Sequence, residues 1–105
     1  MCPVVYALGV IGQEWKLPIL WHLFQQEVTR YSELKQSVRG VTNMMLTKSL
    51  HELVEHGLVT RRQNETVPPQ GKYSLAERGW SLLPTLSELY KWGEEQMRLD
   101  KLRKA

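Results

Sequence analysis

Polar side chains that could hydrogen-bond to bases and phosphates recur along one side of a predicted helix from Thr42 to His56. The Thr42 hydroxyl is placed to accept from the free N–H groups of the first turn, and Gly57 marks the stop. An apolar stripe is formed by Leu46, Leu50, Leu53 and Val54. The opposite side carries Met44, Thr47, Lys48, His51 and Glu55. An amphipathic helix by itself is typical of an ordinary core. If this helix binds a partner, its polar side is the surface that is free to do so.

A basic hairpin is predicted after this helix. Residues alternate with period two from Leu58 to Gln63 and from Lys72 to Leu75, and the proline-containing segment from Val67 to Gly71 stiffens the connection. Between Arg30 and Trp80 there are eight basic residues and five acidic ones, a net charge of +3 that equals the net charge of the whole chain. The excess positive charge therefore lies on the segment that contains the helix and the hairpin, where phosphate contacts need it.

Other predicted elements surround this unit. They are a helix from Pro3 to Ile11 capped by Cys2, a helix from Trp15 to Phe24, a strand from Val28 to Arg30, a helix from Tyr31 to Val38, and a last helix from Ala76 to Met97. Pro84 is expected to kink the last helix, and the charged tail from Arg98 to Ala105 is expected to fray. The fold class is mainly α with a small β-hairpin, in the order α-α-β-α-α-β-β-α.

The last predicted helix carries more large apolar side chains than one helix can bury. These side chains either pack within their own domain or form a subunit interface. A chain of 105 residues has little other core to offer, so an interface shared by the first and last helices is the favoured interpretation. The predicted interface residues are Val4, Val5, Leu8, Trp80, Leu83, Leu86, Leu89, Tyr90 and Trp92.

Length and composition predict one domain over residues 1–105 with no membrane span. The longest apolar run, from Val4 to Gly12, is too short to cross a bilayer and has no basic leader before it, so no secretory signal is expected. The single cysteine, Cys2, cannot form an internal disulfide, which fits a reducing compartment. The expected location is the cytoplasm.

Enzymatic and metal chemistry have little support in the sequence. The histidines His22, His51 and His56 include no pair at i, i+4, and one cysteine gives no spacing suited to zinc. Asp100, the only aspartate, lies in the charged tail, so no Ser-His-Asp triad is expected. No phosphate-binding loop is present either, and neither a cofactor nor a metal is expected.

A set of short motifs runs along nearly the whole chain. They are Cys2-Pro3-Val4, Gly12 with Trp15-Lys16 and Ile19-Leu20, Arg30-Tyr31 with Glu33-Leu34, Leu46-Thr47, Leu50 with Glu52-Leu53, Gly57-Leu58-Val59, Val67-Pro68-Pro69, Tyr73-Ser74-Leu75, and Glu77 with Gly79. In this order and with these gaps, the chain resembles the HxlR family of bacterial winged helix-turn-helix regulators, relatives of the MarR group.

The resemblance implies a homodimer on double-stranded DNA with a pseudo-palindromic operator. The helix from Thr42 to His56 would enter the major groove, and the wing from Leu58 to Leu75 would touch the flanking backbone and minor groove. The expected DNA contacts are Arg30, Thr42, Asn43, Met44, Thr47, Lys48, His51, Arg61, Arg62, Gln70 and Lys72. The family pattern usually has basic residues where this chain has Met44, Ser49 and Gln70, and Thr or Ser where it has Ala76, which predicts weaker phosphate anchoring or a different base preference.

Cys2 has two interpretations. At the start of a helix, the open N–H groups lower the pKa of a thiol and increase its reactivity. The resemblance implies that such a cysteine senses quinones, aldehydes or oxidants in some members, so an oxidant or small-molecule effector is one expectation. The other is a small buried residue without a signalling role, because no second cysteine is present to form an internal disulfide.

The leading hypothesis is therefore a dimeric winged-helix transcription factor. The alternative is a winged helix that binds another protein through its apolar surface, with an incidental basic wing. Salt distinguishes the two, because DNA affinity falls steeply with added salt and a hydrophobic protein contact responds weakly.

Overall fold

The computed structural model describes residues 1–63 and 71–104. Their elements are α1 (Pro3–Ile11), α2 (Lys16–Gln25), β1 (Thr29–Arg30), α3 (Tyr31–Ser37), α4 (Asn43–Glu55), β2 (Val59–Gln63), β3 (Gly71–Leu75), α5 (Glu77–Trp80) and α6 (Leu83–Lys104). The three strands form an antiparallel sheet in the order β1-β3-β2. The predicted fold class is confirmed, with β1 adding a third strand to the hairpin. The Val67–Gln70 part of the predicted hairpin connection lies outside the described residues.

The C-terminal region differs from the sequence prediction. The predicted last helix is divided into α5 and α6, with Ser81 and Leu82 in a turn between them. Pro84 is the second residue of α6, a position where its missing N–H costs nothing, so it marks a helix start and kinks no helix interior. The prediction of a frayed tail is wrong, because α6 continues as helix to Lys104.

The core lies where α2, α3 and α4 meet the sheet. Its buried apolar side chains are Ile19, Leu20, Leu23, Leu34, Val38, Val41, Leu46, Leu50, Leu53, Leu58, Val59, Tyr73, Leu75 and Leu86. Three of the four residues in the apolar stripe predicted for α4 are buried, whereas Val54 is exposed at the edge that faces the wing. The opposite side of α4 therefore takes no part in the core.

Both predicted ends of α4 are confirmed. The Thr42 hydroxyl accepts a hydrogen bond from the Met45 N–H at 3.1 Å, which satisfies one of the open donors of the first turn. At the other end Gly57 has a φ of +74°, the left-handed conformation in which glycine avoids the steric penalty of a side chain. These caps fix where the helix begins and ends relative to the sheet.

A buried lysine connects three helices. Lys16, the first residue of α2, is 2 % exposed, and its Nζ lies 3.0 Å from Glu52 Oε2 of α4. The same ammonium group donates to the Val10 carbonyl of α1 at 3.1 Å. A buried charge is costly unless it is paired and hydrogen-bonded, so both contacts are needed to hold it there. The bond from Lys16 is also the main cause that lowers the pKa of the Glu52 carboxyl.

We expect Glu52→Gln to reduce stability at neutral pH, because it leaves the Lys16 ammonium without its counter-ion. Since the folded-state pKa of Glu52 is lowered, its contribution is full above the unfolded pKa, about 4.3, and is lost as pH falls through the lower folded value. The difference in unfolding temperature between the variant and the wild type should therefore shrink below about pH 4. Glu88→Gln, in an exposed pair with Lys91, is the matched control and should show little difference at any pH. A difference for Glu52→Gln that is constant from pH 7 to pH 3 would contradict this.

Candidate nucleic-acid interface

The solvent-facing side of α4 presents the residues that the sequence predicted there. Thr42, Asn43, Met44, Thr47, Lys48 and His51 are all exposed, and Met44 is 81 % exposed. They project from the first three turns of a helix whose other side is held by the core. This arrangement gives a rigid helix a continuous row of donors and acceptors, which is what reading base edges in a groove requires.

Tyr31, which the sequence did not indicate as a site residue, orders two of these side chains. Its hydroxyl lies 3.1 Å from the Asn43 carbonyl, 3.3 Å from Asn43 Oδ1 and 3.0 Å from the Thr47 hydroxyl. The single phenolic hydrogen serves one acceptor at a time, and the Thr47 hydroxyl can donate in return. With its oxygen toward Tyr31, the Asn43 amide can turn its N–H groups toward an acceptor outside the chain. Tyr31 thus connects the start of α3 to the exposed side of α4.

A cleft of about 330 Å³ separates α4 from the wing. It is lined by Tyr31, Thr47, Leu50, His51, Val54, Arg61 and Tyr73. Arg61 Nε donates to the Tyr73 hydroxyl at 3.2 Å, which holds the guanidinium on the side of the sheet that faces α4. The predicted contact Arg61 is therefore placed beside Thr47 and His51, on the same surface.

The other basic residues predicted to contact DNA, two in the wing and Arg30 in β1, lie on the opposite face of the sheet. Lys72 is paired in register with Arg62 on one side and with Arg30 on the other, so these three form a row across all three strands. The neighbouring row, Thr29, Tyr73 and Arg61, points toward the core side, and side chains alternate between faces. The sequence predicted one group of wing contacts, whereas the structure divides them between two faces.

The row of Arg30, Lys72 and Arg62 is electrostatically unfavourable by itself. Like charges directly opposite on neighbouring strands, about 4.8 Å apart, repel each other. In the part of the chain that the structure describes, no carboxylate forms an ion pair with any of the three. An anion such as a phosphate would relieve this repulsion, and a cavity of about 450 Å³ on this face, lined in part by Arg62 and Lys72, leaves space for one.

Negative charge lies near the C-terminal end of the exposed side of α4. His51 Nε2 is 3.0 Å from Glu55 Oε1, and both side chains are well exposed. This carboxylate makes the last turn of α4 less attractive to phosphates, so the first half of the helix, with Asn43, Thr47 and Lys48, is the more favourable surface. Gln70, another predicted contact, lies outside the described residues.

Comparison with known proteins identifies the family. A model of the HxlR-like helix-turn-helix matches residues 10–101. The chain belongs to the HxlR-like helix-turn-helix family. MalR, a regulatory protein of Fusobacterium mortiferum, is 40 % identical over 94 residues, which cover 90 % of this chain and 89 % of that protein. The resemblance found in the sequence is therefore confirmed, and the chain is a helix-turn-helix transcriptional regulator.

Two solved structures of regulators share the fold. The HTH-type transcriptional regulator ytcD superposes with a TM-score of 0.87 at 40 % identity, covering 93 % of this chain and 99 % of that chain. The redox regulator HypR in its reduced form gives a TM-score of 0.86 at 35 % identity, covering 91 % of this chain and 94 % of that chain. The winged helix-turn-helix fold is confirmed. In this HxlR-like fold, α3 and α4 form the helix-turn-helix, and β2 and β3 form the wing.

Most of the predicted interface residues of this HxlR-like chain lie outside its core. The exposed or half-buried ones are Val4, Val5, Leu8, Trp80, Leu83, Leu89, Tyr90 and Trp92. Leu86 differs, because it is 4 % exposed and packs within the core of its own chain. We therefore leave Leu86 out of the interface. Tyr90 already stacks on Trp21, with ring centroids 4.9 Å apart, so one face of its ring is covered within the chain and the rest of the residue remains exposed.

Cys2 is exposed at the start of α1, so the interpretation that it is a buried core residue is wrong. The backbone N–H groups of Val5 and Val4 lower the pKa of its thiol. The predicted direction of that shift is confirmed.

No helix among residues 1–63 and 71–104 is long and apolar enough to cross a membrane.

We expect Tyr31→Phe to weaken duplex DNA binding by about 2-fold to 10-fold, because the net value of one hydrogen bond is about 0.5–1.5 kcal/mol. The ring stays in place, so the variant should remain folded, with a loss of unfolding free energy no larger than about 0.5–1.5 kcal/mol. Tyr6→Phe removes an exposed hydroxyl from α1 and is the matched control. Equal affinities for Tyr31→Phe, Tyr6→Phe and the wild type in a gel-shift titration would show that the hydroxyl does not order the site.

Proposed function

We propose that this regulator acts as a homodimer that binds a pseudo-palindromic operator, with α4 in the major groove. The observation that carries the proposal is the exposed side of α4, where Tyr31 holds Asn43 and Thr47 in place next to Lys48. Amide, hydroxyl and ammonium groups are the chemistry that pairs with base edges. In this arrangement Asn43, Thr47 and Lys48 contact bases or the nearest phosphates.

The two faces of the wing would bind different phosphates. Arg61 lies on the α4 side and would contact the backbone that borders the same groove. The row of Arg30, Lys72 and Arg62 points the other way and would contact the strand beyond it. A wing with cations on both faces fits between two phosphate backbones, which supports its insertion at a minor groove.

Self-association is supported by apolar surface that one chain leaves exposed. None of the nine residues of α1 is fully buried, and Val4 is 66 % exposed. An apolar groove of about 250 Å³ lies between α2 and α6, and its exposed or half-buried lining residues are Leu17, Pro18, Trp21, Leu89 and Tyr90. Burying such surface against a second copy is favourable at about 25 cal/mol per Å². A two-fold dimer would then place its recognition helices on half-sites about 34 Å apart.

We expect Lys48→Ala and Arg62→Ala to affect DNA binding in different ways. Lys48→Ala should lose about 1–3 kcal/mol of discrimination between the preferred duplex and single-base variants. Arg62→Ala should weaken all duplexes similarly and reduce the slope of log affinity against log salt by about 1. The control is Lys91→Ala, an exposed lysine of α6 paired with Glu88, which should change neither quantity.

The measurement is a fluorescence-anisotropy titration at several salt concentrations. Wild-type behaviour of both Lys48→Ala and Arg62→Ala would overturn the docking. Affinity that responds weakly to salt would favour the alternative, a module that binds another protein through the apolar surface.

Sensing of oxidants or electrophiles through Cys2 is a second candidate. It is favoured by the exposed thiol, whose lowered pKa gives a larger reactive thiolate fraction at neutral pH. HypR, a structural relative, is described as a redox regulator. With one cysteine per chain, the step open to diamide is a disulfide between two Cys2 residues. Each thiol loses one proton and one electron, and one diamide molecule takes up the two protons and the two electrons.

We expect diamide to change duplex binding by the wild type and to leave Cys2→Ser unaffected. Non-reducing electrophoresis of the same samples should show a disulfide-linked dimer only for the wild type. Equal gel-shift responses of the two proteins to diamide and to methylglyoxal would eliminate Cys2 as the sensor.

A further inference from the structure

Two adjacent residues at the junction of α1 and α2 touch the back of the recognition helix at two points. Trp15 Nε1 donates to Met45 Sδ at 2.9 Å, and Lys16 Nζ lies 3.0 Å from Glu52 Oε2. Met45 and Glu52 are seven residues apart, so they lie two turns apart on the same side of α4. This side is neither the core stripe nor the exposed polar side.

Contacts two turns apart restrict a helix more than one contact does. The core already holds the apolar side of α4, and two further contacts along a second side restrict both its tilt and its rotation about its own axis. Lys48 precedes Glu52 by four residues and therefore projects from a nearby part of the helix surface. The contact at Glu52 fixes the rotation of α4 about its axis, and this rotation also determines the direction in which Lys48 projects.

Lys16 is suited to this task because it is buried. Among the residues that the structure describes, Lys16 is the charged residue whose side chain is buried, at 2 % exposure. A lysine ammonium in that position needs both of its partners, Glu52 and the Val10 carbonyl, at hydrogen-bond distance. A displacement of α4 therefore costs an interaction that water cannot easily replace.

The Val10 carbonyl brings α1 into the same arrangement. It lies in the last turn of α1, a helix in which no residue is fully buried. Lys16 thus holds the end of α1 and the middle of α4 with one group. A movement of α1 changes the position that the ammonium, and with it Glu52, can occupy.

We propose that Trp15 and Lys16 form a clamp on the back of α4 that sets its orientation on DNA and makes that orientation depend on the position of α1. Both are positioning residues, since they act through Met45 and Glu52. The proposal rests on the proposed function, because α1 is the helix that would contact the second copy. The spacing between the two bound half-sites is then set through this clamp.

The test compares spacing discrimination with base discrimination. The probe is the duplex that the wild-type chain enriches from random DNA, together with versions that have one base pair inserted or removed between the half-sites. The wild type should prefer its own spacing by more than about tenfold. Lys16→Met, which keeps the apolar stem, and Glu52→Gln should reduce that preference to about threefold or less, while single-base discrimination within a half-site is retained.

Two further variants separate positioning from loss of stability. Leu75→Ala removes a buried side chain of β3 and lowers stability without touching the clamp, so it should keep the wild-type spacing preference. Lys16→Arg supplies donors for both partners and should restore most of the preference lost in Lys16→Met. If Lys16→Met does not fold, Glu52→Gln and Trp15→Phe, which loses the indole N–H together with part of the ring, carry the comparison. Unchanged spacing preference in the folded clamp variants overturns the proposal.

Hydrogen exchange gives a result that does not depend on DNA. The Gly12 N–H donates to the Leu8 carbonyl at the end of α1. Glu52→Gln on α4 should speed amide exchange at Gly12. Leu75→Ala should speed it only as much as its loss of global stability requires. Unchanged exchange at Gly12 in Glu52→Gln overturns the clamp. A wild-type chain that enriches no duplex overturns the proposed function, and the exchange measurement then decides the clamp by itself.

Discussion

A single buried ammonium group links three helices of this domain. Lys16 is removed from water and compensated by Glu52 on one helix and by the Val10 carbonyl on another. Because a charge in the interior is stable only with its partners in place, the three helices cannot shift independently. The apolar stripe of α4 is held by the core, a second side is held by Trp15 and Lys16, and the remaining side faces solvent. The surface proposed to read DNA is thus the part of α4 that folding does not use.

The distribution of positive charge follows from the same framework. The sheet fixes Arg61 on the side of α4 and places Arg30, Lys72 and Arg62 in a row on the other face. That row does not stabilise the folded domain, since its members repel each other. Its arrangement is favourable once a polyanion is bound, which agrees with membership of a helix-turn-helix regulator family.

Much of the fold followed from local patterns in the sequence. The Thr42 cap, the stop at Gly57 and the spacing of leucines predicted α4 almost to the residue. The break between α5 and α6 was missed because the apolar pattern continues through it, although Pro84 carried the signal. The alternation of Arg61 and Arg62 could have separated the two faces of the wing. The position of Arg30 beside Lys72 required the register of β1 and β3.

The side chains that position the site could not be predicted in the same way. Lysine is rarely buried, and Lys16 is far from Glu52 in sequence, so no local pattern indicated their pairing. Tyr31 likewise meets Asn43 and Thr47 only after α3 and α4 pack together. The most direct measurement of the central claim is selection from random duplex DNA by the purified chain. The account predicts enrichment of two inverted half-sites with one fixed spacing of about one helical turn. Enrichment of no sequence in dilute salt, or of isolated half-sites by a strictly monomeric chain, would contradict it.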